Sequence, residues 1–302
     1  MEWDIPANEQ HSSYLCSFAT QFAEMTSGNL HDTAPSAGIL DEARRCHLAI
    51  HLYSGGYHIA IFDPSEGEFL WVHNQPCEVI HPAPFQDVTE QLLRLLWIRS
   101  VFRTITVSFD TPDFTLAPTG MIQPGKEGEL LSFHSGDQDD TIQTVNLAES
   151  AITIVFRVPG KVLSLTRALQ GARLYPSSSL FLRYVTGHHD RQVNDLHVLI
   201  EPGQLILSAM LKGSHHMTNH FEVHTEEDVL YFISHAAIRL GVDLEFARLN
   251  LYGDGITPSL RALLEVYCGT IVTWVSPSGF RLPESTDACR SFSALIHPIC
   301  AS

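Results

Sequence analysis

Residues 47–73 read HLAIHLYSGGYHIAIFDPSEGEFLWVH, and residues 196–224 read LHVLIEPGQLILSAMLKGSHHMTNHFEVH. Each stretch predicts three β-strands joined by two tight turns. In the first, His47–Tyr53, Tyr57–Phe62 and Glu68–His73 are separated by Ser54-Gly55-Gly56 and by Asp63-Pro64-Ser65-Glu66-Gly67. In the second, Leu196–Ile200, Gln204–Leu211 and His216–His224 are separated by Glu201-Pro202-Gly203 and Lys212-Gly213-Ser214. Short apolar runs broken by Gly-bearing turns close as antiparallel meanders.

The elements after each meander are also alike. After the first, Phe85, Val88, Leu92, Leu95, Leu96 and Ile98 fall near a helical period, predicting a helix over Pro84 to Ser100 with Pro in its first turn. A strand over Thr104–Phe109, a weaker helix over Glu127–Phe133, the acidic loop Gly136–Asp140, a strand over Ala151–Val158 and a helix over Lys161–Leu169 come next. After the second, Thr225 and Asp228 form a capping box for a helix that stops at Gly241. A strand (Arg248–Tyr252), a helix opened by Pro258 (Ser259–Tyr267) and a strand (Ile271–Val275) complete that half, and Phe292–Ile299 is expected to add an edge strand. The order β-β-β-α-β-α-β therefore occurs twice, which predicts an α/β protein with two tandem mixed sheets flanked by helices. The expected division is an N-terminal helix and linker over 1–42, a first domain over 43–172 and a second over 173–302. Tyr14, Leu15, Phe18, Phe22 and Met25 give the leading segment its helical stripe.

This order of elements is that of a ribonuclease H-like domain, and its duplication resembles the actin-like ATPase superfamily. A closer likeness rests on Met217-Thr218-Asn219-His220-Phe221, Glu227-Asp228, Tyr231 and Leu249-Asn250-Leu251-Tyr252-Gly253, with Leu48–Asp63, Phe114-Thr115-Leu116-Ala117-Pro118 and the terminal Ile299-Cys300. From Ala43 to Cys300 the chain resembles an uncharacterised Bacteroidota family, domain of unknown function family 3822. The resemblance implies a cytosolic protein with an actin-like duplicated fold. It carries no catalytic residues over.

Actin-like enzymes hold nucleotide phosphates and magnesium in the turns of their two meanders, where an Asp orients the hydrated cation and Gly lets amides approach phosphate. Here His51 stands at the Asp position of the first turn and Tyr53 at the Gly position. Neutral imidazole is a poor magnesium ligand, and a phenol ring crowds phosphate. The second turn keeps Glu201 and Gly203, yet Pro202 removes an amide donor and Gln204 follows where a hydroxyl is wanted. The adenosine side survives best, as Gly253 and Gly255. Glu201, Gly203, Gly253 and Gly255 are thus the candidate cleft residues for ATP and magnesium. With both phosphate turns degenerate, no catalytic residue, cofactor or metal is expected. His51 also removes the first-strand carboxylate that a two-metal nuclease needs.

Other signals read as structural. Gly120 to Lys126 nearly matches a phosphate loop, but Glu127 replaces its magnesium-binding hydroxyl and Pro124 removes an amide. His216, His220 and His224 share one face of a strand with Thr218 and Glu222, successive imidazoles about 13 Å apart, too far for one zinc ion. A solvated histidine face is expected there, with Met217, Asn219, Phe221 and Val223 on the core side, and His188 with His189 is expected to be a loop pair. Cys77 near His81 lacks a third group to orient a nucleophile. Six cysteines without a Cys-x-x-Cys pair fit reduced thiols.

Composition sets the outer limits. The 302 residues carry 18 basic and 34 acidic side chains, a formal charge of −16, which opposes non-specific nucleic-acid binding. No apolar run approaches the roughly 20 residues of a membrane helix, and the start lacks a signal-peptide pattern. The expected function is a non-catalytic interaction or scaffold module whose partner is a protein, with neither nucleic acid nor membrane involved. The alternative is a nucleotide sensor or weak ATPase working in the interdomain cleft.

Overall fold

The computed structural model describes residues 34–302 except 82, 84, 132–139, 148–149, 277–278, 285 and 301–302. The expected helix over Tyr14–Met25, the acidic loop apart from Asp140, and Pro84 lie outside the described residues. His47–Tyr53 (β1), Gly56–Asp63 (β2) and Glu68–Pro76 (β3) form the first meander, followed by helix Gln86–Arg94 (α1) and strand Thr104–Phe109 (β4). Phe114–Pro118 (β5), Thr141–Leu147 (β6) and Ile152–Val158 (β7) come next, then helix Gly160–Ala168 (α2), strand Arg173–Pro176 (β8) and helix Ser177–His188 (α3). The second half runs Asn194–Glu201 (β9), Gln204–Leu211 (β10), Ser214–Glu222 (β11), helix Glu226–Leu240 (α4), Arg248–Tyr252 (β12), helix Pro258–Glu265 (α5) and Thr270–Thr273 (β13). Two short helices, Phe292–Leu295 (α6) and His297–Cys300 (α7), close the chain.

The two halves share one topology. The first sheet has the order β3-β2-β1-β4-β8 and the second β11-β10-β9-β12-β13. In each, the meander is antiparallel and the two later strands run parallel to its first strand or to each other. From β9 to β13 the second half follows its expected order. In α4 the Thr225 hydroxyl accepts from the Asp228 amide while the Asp228 carboxylate accepts from the Thr225 amide, and Gly241 ends the helix with φ 66°.

The first half departs in three places. Ile152–Val158 is not a strand of the main sheet. It is the middle of a separate antiparallel sheet, β5-β7-β6, inserted between β4 and α2. The main sheet's fifth strand is Arg173–Pro176, four residues at an edge, too short to show a period. The helix expected to reach Ser100 breaks at Leu95, whose ψ of 90° is extended, and resumes as a 3-10 turn over Leu96–Arg99. A further departure lies at the C-terminus, where Phe292–Ile299 is helical. Phe292, Ala294, Leu295 and Ile296 are all buried, so the run has no exposed face to set its period, and Pro298 suits the first turn of α7.

Cβ alternation sorts β1 into two faces. Leu48, Ile50 and Leu52, with Ile59 and Ile61 of β2, pack on Val88 and Leu92 of α1 and Val162 and Leu165 of α2. The opposite face carries His47, Ala49, His51 and, on β2, His58 and Ala60. There Ala49, Ala60 and Phe62 share a core with Phe181 of α3, Phe292 and Leu295 of α6, and Leu199, Ile206 and Tyr252 of the second sheet. Small residues on that face make room for α3 and the C-terminal helices between the sheets. Among the described residues, no helix is long and apolar enough to cross a membrane.

Candidate functional site

The inward face of β1 and β4 is a polar comb. Thr104, Thr106 and Ser108 alternate along β4 beside His47, Ala49 and His51, their register partners on β1. His47 bridges Thr104 Oγ1 (2.8 Å from Nδ1) and Thr106 Oγ1 (2.7 Å from Nε2). His297 of α7 inserts its ring between Thr106 Oγ1 (2.7 Å from Nδ1) and Ser108 Oγ (2.7 Å from Nε2). Ser108 Oγ then lies 2.9 Å from His51 Nδ1. Burial holds the His47 pKa down at about 4 and that of His297 well below the ordinary value, so both rings are neutral. Each neutral imidazole donates once and accepts once, as each hydroxyl does here, so the protons along this row all point one way. The Asp110 carboxylate, 3.6 Å from His51 Nε2, favours the direction that ends with the Nε2 proton facing it.

The row ends where the two halves meet. Asp110 accepts from the Ser177 hydroxyl at the start of α3 and from the Gln204 amide of β10. Gln204 Oε1 is 2.8 Å from His220 Nε2. Glu201 Oε1 sits 4.0 Å from His51 Nε2 and accepts from the Ser293 hydroxyl of α6 at 2.5 Å. Burial first, then the Asp110 charge, pushes the Glu201 carboxyl well above the usual range. Glu201 Oε2, His51 Nε2 and both nitrogens of His58 are buried without a hydrogen-bond partner.

A C-terminal strap crosses the cleft. The Gly253 amide donates to the Cys289 carbonyl (3.2 Å), and Arg290 pairs with Asp254 at 2.6 Å. Asn74 of β3 donates to Ser291 Oγ (3.0 Å), Ser293 holds Glu201 and His297 fills the comb.

Of the expected cleft residues, Glu201, Gly253 and Gly255 come together at the ends of β9 and β12, and Gly203 does not join them. Gly253 has φ 100°, and a Cβ there would stand 2.2 Å from the Ile200 carbonyl oxygen. The Gly255 amide donates to that same oxygen at 2.9 Å. These glycines thus let backbone approach backbone. Gly203 is exposed at the β9–β10 turn with φ 83°. In the first turn, the Tyr53 ring lies against Gly55 and Gly56 and is 3% exposed. A magnesium nucleotide does not fit this set. Asp110 already accepts at both oxygens, from Ser177 and Gln204, Pro202 offers no amide, and Tyr53 covers the other turn.

The histidine reading of β11 needs correction. His216 is exposed as expected, but Thr218 is buried against Ser208, and His220 points inward at Gln204. His224 lies beyond the strand, exposed beside Glu222. His188 ends α3 with its ring stacked on Tyr184 rather than standing in a loop. Among the described residues, no cluster of three His, Cys, Asp or Glu side chains suits a metal ion. Lys126 of the phosphate-loop-like stretch is exposed between two 3-10 turns. Asp110, Ser177, Ser293 and His297 were missed. The alternation of Thr104, Thr106, Ser108 and Asp110 was the available signal, whereas nothing local marks Ser293 or His297.

Residues 36–267 match a family described as protein of unknown function, DUF3822. The chain belongs to the DUF3822 family. Among solved structures it is similar to a Bacteroides thetaiotaomicron protein with actin-like ATPase fold and unknown function. The TM-score is 0.69 at 14% identity, covering 86% of this chain and 98% of that one. A chain of the PilM–PilN type IV pilus biogenesis complex matches at TM-score 0.51 and 13% identity, covering 84% of this chain and 98% of that one. A comparison with curated proteins gives no match. At these identities the likeness is one of fold, and it makes this DUF3822 chain an α/β protein of the actin-like, ribonuclease H-like class. The strap residues Ser293 and His297 lie beyond the part matched by the DUF3822 family.

Proposed function

We propose that this DUF3822 chain is a non-catalytic, cytoplasmic protein-interaction module, built on an actin-like fold whose nucleotide cleft has become part of the core. The observation that carries this reading is the Ser293–Glu201 hydrogen bond. It turns the one carboxylate left in the phosphate turns into an internal anchor for the C-terminal strap. In this reading Glu201, Gly253 and Gly255 close the cleft, and Gly203 serves its turn. The formal charge of −16 favours a basic protein partner met by electrostatic steering. A similar fold found in a pilus biogenesis complex adds support for a role in assembly.

The test is ligand-linked stability. Magnesium-ATP at millimolar concentration, if bound at a Kd a hundredfold lower, stabilises a protein by about 2.7 kcal/mol. The expected result is no shift in Tm and no phosphate release. A clear shift abolished by Glu201→Ala overturns the reading in favour of a nucleotide sensor, and turnover lost in the same variant establishes a weak ATPase. On the partner side, the expected capture is a basic protein released by salt.

A further inference from the structure

The connection from α1 to β4 alternates anchors with outward side chains. Leu95, Ile98 and Phe102 are buried in the core of the first half. Around them Arg94, Arg99 and Arg103 are exposed, with Leu96 at 76% and Val101 at 67% exposure. Two aliphatic side chains standing this far out line no groove. They suit a soft surface that they can enter. Behind Leu96, Trp97 meets Trp71 of β3 edge-on at 5.3 Å, both rings half-buried.

Strand pairing brings more cations to the same end of the first sheet. The Arg103 amide donates to the Cys46 carbonyl at 2.9 Å, which sets the turn Ala43–Arg45 beside it, with Arg44 exposed. Arg173, level with Thr106 at the start of β8, and Arg167, in the last turn of α2 just before it, lie toward this end as well.

Charge is distributed unevenly to match. Residues 91–109 and 150–189 contain none of the chain's 34 acidic side chains. Among the described residues Arg44, Arg94, Arg99 and Arg103 form no ion pair, whereas Arg45 is taken up by Glu42 and Asp63. Asp41 and Glu90, both exposed nearby in the chain, reduce the positive charge of this end without cancelling it. The acidic remainder of the surface is screened from it, since the Debye length at physiological ionic strength is about 8 Å. Run lengths that exclude a spanning helix, and a formal charge of −16, therefore do not oppose docking through this one end.

We infer that this end of the first sheet docks on an anionic phospholipid surface. Arg44, Arg94, Arg99 and Arg103 meet the phosphate headgroups, and Leu96 and Val101 enter the boundary with the acyl chains. The surface lies away from the interdomain cleft, and the inference does not rest on the proposed protein partner.

The experiment is sedimentation of the full chain with vesicles of equimolar phosphatidylglycerol and phosphatidylcholine, against phosphatidylcholine alone. Each arginine near the surface contributes about fivefold, and Leu96 with Val101 about twentyfold together. The product is a partition constant on the order of 10⁴ M⁻¹, close to that of one myristoyl chain. Binding to the anionic vesicles alone is expected, with release at about 0.5 M salt and quenching of tryptophan emission by brominated lipid. Arg99→Glu combined with Arg103→Glu should weaken it at least about a hundredfold. Leu96→Ser should weaken it about fivefold at unchanged Tm, which keeps the test open should the double variant fail to fold. Equal binding to neutral vesicles, no binding at about 1 mM anionic lipid, or unchanged affinity in either variant overturns the inference. Retention on polyglutamate without vesicle binding also overturns it, assigning the surface to an acidic protein instead.

Discussion

Ser293 and Glu201, 92 residues apart, meet at 2.5 Å with both side chains buried. The contact joins the C-terminal strap to the turn at the end of β9. Ser293→Ala leaves a buried carboxyl oxygen without its donor and should cost about 1–3 kcal/mol. In Ser293→Ala, Glu201→Gln should then cost less than it does alone, because the hydrogen bond that both substitutions disturb is already gone. Urea denaturation of the four proteins of this double-mutant cycle measures the coupling, and additive effects would remove Ser293–Glu201 as the anchor.

Buried histidines set the pH dependence of stability. His47 and His197 titrate at about 4, and His58 and His297 well below the ordinary value of 6.5, each mainly through burial. These lowered values mean that the unfolded chain binds the extra protons. Their contribution is therefore complete above pH 6.5 and is lost as pH falls toward the folded values, by about 1.4 kcal/mol per imidazole per pH unit. Glu201, whose pKa is raised, works the other way, contributing most below its unfolded value and losing that as pH rises toward its folded one. Four imidazoles outweigh one carboxyl, so stability should fall steeply between pH 6.5 and about 4.5. Denaturation midpoints across that range check this, and a flat profile would contradict it.

The second half was legible because its punctuation is local. Thr225 with Asp228, Gly241 and Pro258 each fix an element boundary from within a few residues. The first half hid its fifth strand because Arg173–Pro176 gains its identity only from pairing with β4, 67 residues earlier in the chain. The polar comb shows the same split. Thr104, Thr106 and Ser108 alternate visibly, but the ring that completes them, His297, comes from 191 residues beyond Thr106. Glu201 and Gly253 were found as a pair by fold likeness. Their closed environment was not, because it is made by a strap whose buried apolar run reads equally well as strand or helix.

Of the three candidate glycines, Gly203 and Gly253 should behave differently. Gly203→Ala meets no atom within 4 Å and must only hold a left-handed φ of 83°, a cost of about 1 kcal/mol. Gly253→Ala combines a φ of 100° with a methyl 2.2 Å from the Ile200 oxygen, so β9 and β12 must separate locally. A loss of about 3 kcal/mol or more is expected, roughly 6–12 °C in Tm for a chain this size. Equal Tm values for the two variants would mean that Gly253 is not held against Ile200.

Removing the strap separates a plug from a structural element. Truncation before Ser291 deletes Phe292, Ala294, Leu295, Ile296 and Cys300 from the core between the sheets, and takes His297 from Thr106 and Ser108. A regulatory plug on a competent cleft should leave a folded protein that gains magnesium-ATP binding. Here the strap supplies one side of a shared core, and five lost apolar side chains at about 1.5–3 kcal/mol for each of the larger ones exceed much of a domain's net stability. The truncated chain is therefore expected to be insoluble, or to lose its cooperative transition and bind a hydrophobic dye. Full-length His297→Ala, which empties the comb but keeps the apolar contacts, should stay folded at reduced Tm and still not bind nucleotide. Recovery of a soluble truncated chain with a magnesium-ATP-dependent rise in Tm would reverse this account of the cleft.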